Sequence, residues 1–384
     1  MSQNRLIFQD VADTCENASQ AVSPGNFHED ITRRRFAYAC FIFSALLLLM
    51  VVIGGITRVT DSGLSITQWE VIRGIIPPLN HSEWQEAFGR YQIIPEFTQQ
   101  NSWMTLADFK KIYIWEWLHR LYGRFLGLLV IMPLFIPRIR KLVPVGYMRH
   151  WVTIIILITC QGAIGWWMVS SGLAERVDVS PYRLAVHLSL AFVIMSYVLV
   201  CGMRLMQPEW LIQHRARNRN MSLVRLSISL AMVLFMQNIL GALVAGGEAA
   251  KIYLEWPMMG DTFFPYEAIS SYVGYMDIIS DPAIIQFIHR TLAYLIIVLS
   301  IMLWWKVRRS AYNTIATYYK YFLLCVLAQV MIGIGILEIG DYHRSIALRV
   351  IHQTVSFVVF ASYVRFLFEV YYSQGISEVR VTAT

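Results

Sequence analysis

The sequence predicts an all-α integral membrane protein: eight transmembrane helices forming two tandem four-helix bundles, with both termini cytoplasmic. Three observations carry that prediction. Of 384 residues, 57% are hydrophobic and only 15% charged, where a soluble domain carries roughly a quarter of its residues as charge; mean hydropathy is +0.50. Several apolar runs reach the ~20 residues that a helix needs to cross a bilayer. The second half of the chain also echoes the first at matched positions.

The spans read from the apolar runs are 36–57, 117–137, 151–171, 182–203, 222–246, 285–305, 316–337 and 345–369. Their flanks set the orientation. Arg33, Arg34 and Arg35 precede the first span, and Arg138, Arg140, Lys141 and Arg149 lie between the second and third. Arg215, Arg217 and Arg219 follow the fourth, and Lys306, Arg308 and Arg309 follow the sixth. The alternate loops are mixed or acidic, with Glu175, Arg176 and Asp178 in one and Glu338, Asp341 and Arg344 in another. Basic loops stay in the cytoplasm, so the two long loops face outward. The expected organisation is a polar tail 1–35, a first bundle 36–203 with outer loop 58–116, and a cytoplasmic linker 204–221. A second bundle 222–371 with outer loop 247–284 follows, then a tail 372–384.

The formal charge of +7 is spread over these short clusters, which speaks for a membrane partner and against nucleic acid. Cys40, Cys160, Cys201 and Cys325 lie in apolar runs and Cys15 in the polar tail, with no CxxC or CxxCH spacing. They read as small core hydrophobes rather than redox or haem-attachment cysteines. The first 35 residues carry Asp10, Asp13, Glu16, Glu29 and Asp30, unlike a secretory signal or a mitochondrial presequence. The first span is therefore expected to act as an uncleaved signal, in a bacterial inner membrane. Pro77-Pro78 marks a turn in the first long loop, a kind of loop that is usually functional.

The repeat is visible in three places. Leu118-His119-Arg120 matches Ile288-His289-Arg290, Gln161 to Gly165 matches Gln329 to Gly333, and Arg183 to His187 resembles Leu348 to His352. The steps are similar: 170 from His119 to His289, 168 from Gly165 to Gly333, and 165 from His187 to His352. Matching elements share membrane orientation, so the repeats are parallel. Gly123 and Gly127 form a GxxxG, a spacing that permits close helix contact.

Four histidines thus sit near the outer ends of the even-numbered spans, His119 level with His187 and His289 level with His352. A lone histidine in a helix is more often a satisfied core residue than a ligand. Four, paired by a repeat inside lipid, reverse that preference, because buried ionisable groups are costly and normally functional. Two facing imidazoles suit axial ligation of a haem iron, whereas no HExxH or Cys/His cluster suggests zinc. Arg120 and Arg183 near the first pair, and Arg290 and Arg349 near the second, suit haem propionates; snorkelling at the interface explains Arg183 equally well. The repeat breaks where Glu116, three residues before His119, faces Gln286 before His289. That asymmetry suggests one site for chemistry and one for electrons, with a structural ion pair of Glu116 as the alternative. On residues alone, a dihaem b-type electron-transfer protein and a haem carrier or chaperone stay open.

From Gly54 to about Phe357 the chain resembles the haem A synthase family. The resemblance is strongest over Gly55 to Trp69 (GITRVTDSGLSITQW) and over Asp108 to Arg120 (DFKKIYIWEWLHR) continuing to Gly123-Arg124. It implies an enzyme that oxidises the C8 methyl of haem O to a formyl group by successive hydroxylations, giving haem A for cytochrome oxidase. It also implies that His289 and His352 hold a cofactor haem b; by their charge, Arg120, Arg290 and Arg349 are expected as further haem-binding residues. Glu116, His119 and His187 would then form the substrate site in the first bundle. Some bacterial members carry a cysteine pair in the first outer loop; 58–116 contains none, which is similar to the cysteine-free subgroup. Haem O synthase, an electron donor and the cytochrome oxidase assembly pathway are the partners the resemblance implies, along with membrane lipid and a possible homo-oligomer.

Overall fold

The computed structural model describes residues 24–372 except 175, 209–211, 213–219, 269–279, 310–312 and 342–343, with side chains from Asp30 onward. The charges expected at Glu175, Arg215, Arg217 and Arg219, the thiol of Cys15 and nearly all of the tail 372–384 lie outside the described residues. Eight long helices carry the fold: α1 (Pro24–Val59), α2 (Leu106–Phe135), α3 (Met148–Ser170), α4 (Pro181–Leu205), α5 (Met221–Gly246), α6 (Pro282–Val307), α7 (Asn313–Ile339) and α8 (Ile346–Tyr372). All eight are long and apolar enough to span a bilayer. Among the described residues there is no strand, only an isolated bridge between Met259 and Thr262.

Where the helices begin follows from local chemistry. Asn220 and Asp281 cap α5 and α6 by accepting from backbone N–H groups of the first turn, and Pro181 and Pro282 open α4 and α6, where a missing N–H is harmless. Two helices start well before the expected spans: α1 at Pro24 rather than near 36, and α2 at Leu106 rather than near 117. The second departure has a local cause. The outer turns of α2 carry Asp108, Lys110, Lys111 and Glu116 and so break the apolar run. A reciprocal capping box between Thr105 and Asp108 starts the helix there instead.

Each of α1 and α3 packs on both α2 and α4, and each of α5 and α7 packs on both α6 and α8, so two rings of four helices close. The rings meet where α4 lies against α5 and α8, and α1 against α8. At that seam Phe192 of α4 stacks on Phe357 of α8 with ring centroids 3.7 Å apart. Both rings are buried. Deep tyrosines at the same level of packing are satisfied: Tyr319 donates to the Ser300 carbonyl and Tyr363 to that of Ser227, each at 2.8 Å. The expected GxxxG contact is corrected in part. Gly123 faces Met50 of α1, but a side chain at Gly127 would meet nothing within 4 Å.

Candidate functional site

Each of the four histidines is seated against a glycine on the helix before its own. A Cβ on Gly54 of α1 would come within 2.9 Å of His119 Cε1, and one on Gly165 of α3 within 3.1 Å of His187 Cε1. A Cβ on Gly241 of α5 would come within 3.2 Å of His289 Cε1, and one on Gly333 of α7 within 3.0 Å of His352 Cε1. Only glycine lets the neighbouring backbone approach an imidazole so closely. His119 and His187 lie within electrostatic reach of one another, as do His289 and His352. That influence runs within the pairs read from the sequence.

Three of these seats carry a second element that the sequence reading did not single out at all of its occurrences. One turn before the glycine stands a glutamine: Gln161, Gln237 and Gln329. Gln161 Nε2 donates to the His187 carbonyl at 3.1 Å and Gln237 Nε2 to that of His289 at 3.0 Å. Gln329 Nε2 lies 3.2 Å from His352 Nε2, and Gln161 Nε2 lies 3.2 Å from His187 Nε2. The signal in the sequence is Gln-x-x-x-Gly inside an apolar run, present three times; a fourth Gln-x-x-x-Gly, Gln85 to Gly89, lies on the polar helix His81–Gln92.

Above the histidines, the chain leaving the first helix of each ring, α1 and α5, is strapped to the following helix. Arg120 donates to the carbonyls of Ile66 and Gln68, and Arg290 to those of Tyr253, Glu255 and Met258. Gly54 to Gly241, Ile66 to Tyr253 and Gln68 to Glu255 are each a step of 187 in the chain. Asp61 and Glu248 share that step, and they are the two non-glycine residues among those described with positive φ, at 47° and 51°. The correspondence between the halves thus runs through the outer segments, where the sequences no longer match.

Glu116 and Gln286, both 2% exposed, occupy the same station in the two straps. The Glu116 carboxylate pairs with Arg120 and accepts from Ser65 Oγ at 2.8 Å and from the Ile66 N–H at 2.7 Å. Gln286 instead donates to the Tyr253 carbonyl at 2.8 Å. The structure turns the Glu116 carboxylate into the strap one turn outward of His119, and it commits the Arg120 and Arg290 forks to backbone carbonyls. Arg183 donates to the Trp167 carbonyl and lies over that residue's ring, as an interfacial anchor does. Arg349 Nε donates to Ser345 Oγ.

The donor set fits haem. His119, His289 and His352 each have a buried Nδ1 without a hydrogen-bond partner, and a ligating histidine needs both ring nitrogens served. Among the described residues no group of three or more His, Cys, Asp or Glu side chains gathers as a metal cage would. Paired imidazoles in an apolar setting suit a metal whose remaining coordination comes from a macrocycle.

Comparison with known proteins agrees. The profile of the COX15-CtaA family, described as cytochrome oxidase assembly protein, matches residues 37–364. A protein of Roseobacter denitrificans named "Heme A synthase" is 36% identical over 370 residues, covering 95% of this chain and 96% of that protein. Proteins of the same name from Dinoroseobacter shibae and Brucella ovis are 38% and 37% identical over 338 residues each. The first covers 87% of this chain and 88% of the relative, the second 88% and 92%.

Proposed function

We propose, from the premise that the chain belongs to the haem A synthase family of cytochrome oxidase assembly proteins, that its two histidine pairs perform different tasks in one reaction. The protein is a multi-pass oxidoreductase of a bacterial inner membrane, acting in haem A formation. In this reading the eight helices are two tandem four-helix bundles with both termini cytoplasmic. His289 and His352 hold a resident haem b, and His119 and His187 receive haem O, whose C8 methyl becomes the formyl group.

The observation that carries the assignment is the exchange of Glu116 for Gln286 at one station of two otherwise matched sites. A buried carboxylate is expensive in a membrane protein, and in this reading the neutral amide of Gln286 serves at the second site because only haem binding is needed there. Glu116 sets its carboxyl group one turn from His119 while it clamps Ser65 and Ile66. It is placed to stabilise positive charge developing at the reacting methyl and to hold the roof of the site still. When bound, the haem would supply oxygen activation and electron transfer; the chain would supply the imidazoles that hold it, orientation and a positive rim. Arg120 and Arg290 contribute to that rim through their field, since their forks already hold carbonyls. Arg349 completes it beside His352. Haem O synthase as supplier, a separate electron donor and a homo-oligomeric state belong to the same proposal.

The decisive test compares Glu116→Gln with His289→Ala and His352→Ala in cells that make haem O. Haem extraction and chromatography should show haem A nearly absent with Glu116→Gln, while the purified variant keeps its b-type spectrum. The two histidine variants should lose that spectrum. Wild-type haem A from Glu116→Gln would make the carboxylate a strap element only, and an intact b-type spectrum in both histidine variants would sink the assignment of the pairs.

A further inference from the structure

Three of the four glycine seats are preceded by a glutamine, and the fourth is not. One turn before Gly54 stands Met50, where Gln161, Gln237 and Gln329 stand before Gly165, Gly241 and Gly333. Met50 to Gln237 is the same step of 187 that relates Gly54 to Gly241, so the two positions are equivalent in the two halves. The thioether does not take over the amide's work. A Cβ at Gly123, one turn beyond His119 on α2, would lie 3.4 Å from Met50 Cε, which places the methyl against that helix as packing.

The difference matters because of what the amide offers. Its N–H bridges two helices at the ligand, donating to the His187 and His289 carbonyls. Its oxygen is free: Gln161, Gln237 and Gln329 each have a buried Oε1 without a partner. An amide can therefore donate to an unprotonated ring nitrogen or accept from a protonated one, whichever the imidazole presents. A thioether is a weak acceptor and no donor. The Nδ1 of His119 is buried and unpartnered, as are those of His289 and His352; what His119 alone lacks at its seat is the amide with its helix bridge.

We propose that Met50 is a positioning residue that leaves His119 the loosely held member of the four, so that the first histidine pair exchanges haem while the second retains it. The inference rests on the reading that both pairs bind haem. It explains why two matched sites would treat the same macrocycle differently: a substrate must enter and a product leave, whereas a cofactor stays. Loss of the partner that orients a ligating histidine weakens a metal site by about 10–100-fold. The swap of amide for thioether is expected to act on release within that range.

The test uses the full-length protein purified with its haem and mixed with excess apomyoglobin as haem acceptor. His119→Ala protein gives the baseline for the second pair alone. Met50→Gln should slow release from the first pair by about 10–100-fold and raise its low-spin fraction in optical and EPR spectra. A merely volumetric role of Met50 would leave the spin state unchanged. Gln237→Met asks the same question from the other side, and should make the second-pair haem transferable at a rate nearer the first; it keeps the proposal testable if Met50→Gln does not accumulate. Wild-type release and spin state in Met50→Gln, or undiminished retention in Gln237→Met, overturns the proposal. Failure of the underlying reading looks different: His289→Ala and His352→Ala would then keep all of their haem.

Discussion

At the scale of single residues, the glycine seats make a prediction opposite in sign to helix propensity. Gly→Ala within a helix normally stabilises by about 0.5–1 kcal/mol. Gly127→Ala, which meets open space, should therefore be neutral or mildly stabilising and keep full haem A output. Gly54→Ala places a methyl 2.9 Å from His119 Cε1, so the imidazole must leave its pose. We expect first-pair haem and haem A output to fall together in that variant, measured by haem extraction, with the second-pair spectrum intact. Equal behaviour of the two alanines would mean that the seats do not position the ligands. The histidines were legible in the sequence because polar residues stand out in apolar runs. Glycines and methionines in such runs do not, and Met50 gains meaning only beside its three counterparts.

At the scale of elements, seven helices follow the apolar runs within a few residues to a turn or so, except at the N-terminus of α1. The outer part of α2 does not, because it is amphipathic and faces protein rather than lipid. It forms one wall of an outer layer with the helix His81–Gln92, joined by an aromatic cluster in which Trp84 and Phe109 meet Tyr113 and Tyr91 meets Phe109. Within this layer Glu96 is 4% exposed and accepts from Tyr91 Oη at 3.1 Å. Burial pushes its carboxyl up to about 8, with the Tyr91 hydrogen bond pulling the other way. In the unfolded chain a glutamate titrates near about 4.3. Between those values the folded layer binds a proton that the unfolded chain has lost, so its stability falls as pH rises from about 4 to about 8. Hydrogen exchange over residues 81–101, corrected for intrinsic rates, should show more protection at pH 5 than at pH 8.5. Glu96→Gln should remove the difference, and an unchanged pH dependence in that variant would assign the effect elsewhere. Neither the strap nor this layer was legible, since their order comes from side chain to backbone bonds that leave no periodic trace.

At the scale of the whole molecule, the seam between the rings centres on the stacked pair Phe192 and Phe357. Such a pair contributes about 0.5–1.5 kcal/mol beyond its buried area. A double-mutant cycle of Phe192→Ala and Phe357→Ala, followed by unfolding in detergent, should give a coupling energy in that range; strict additivity would show that the two rings do not support one another. The pair has a further property. Phe192 to Phe357 is the same step of 165 that relates His187 to His352, so each ring stacks on its own counterpart. A residue meets its equivalent only on a two-fold axis, and the halves accordingly join through an isologous surface, as identical subunits of a C2 dimer do. A single chain has no need of that symmetry, whereas an assembly of two half-length chains does. In such a dimer any change at one site is made at both. A single chain is free of that restriction, and Glu116 against Gln286, with Met50 against Gln237, are differences that a dimer of identical half-length chains could not hold.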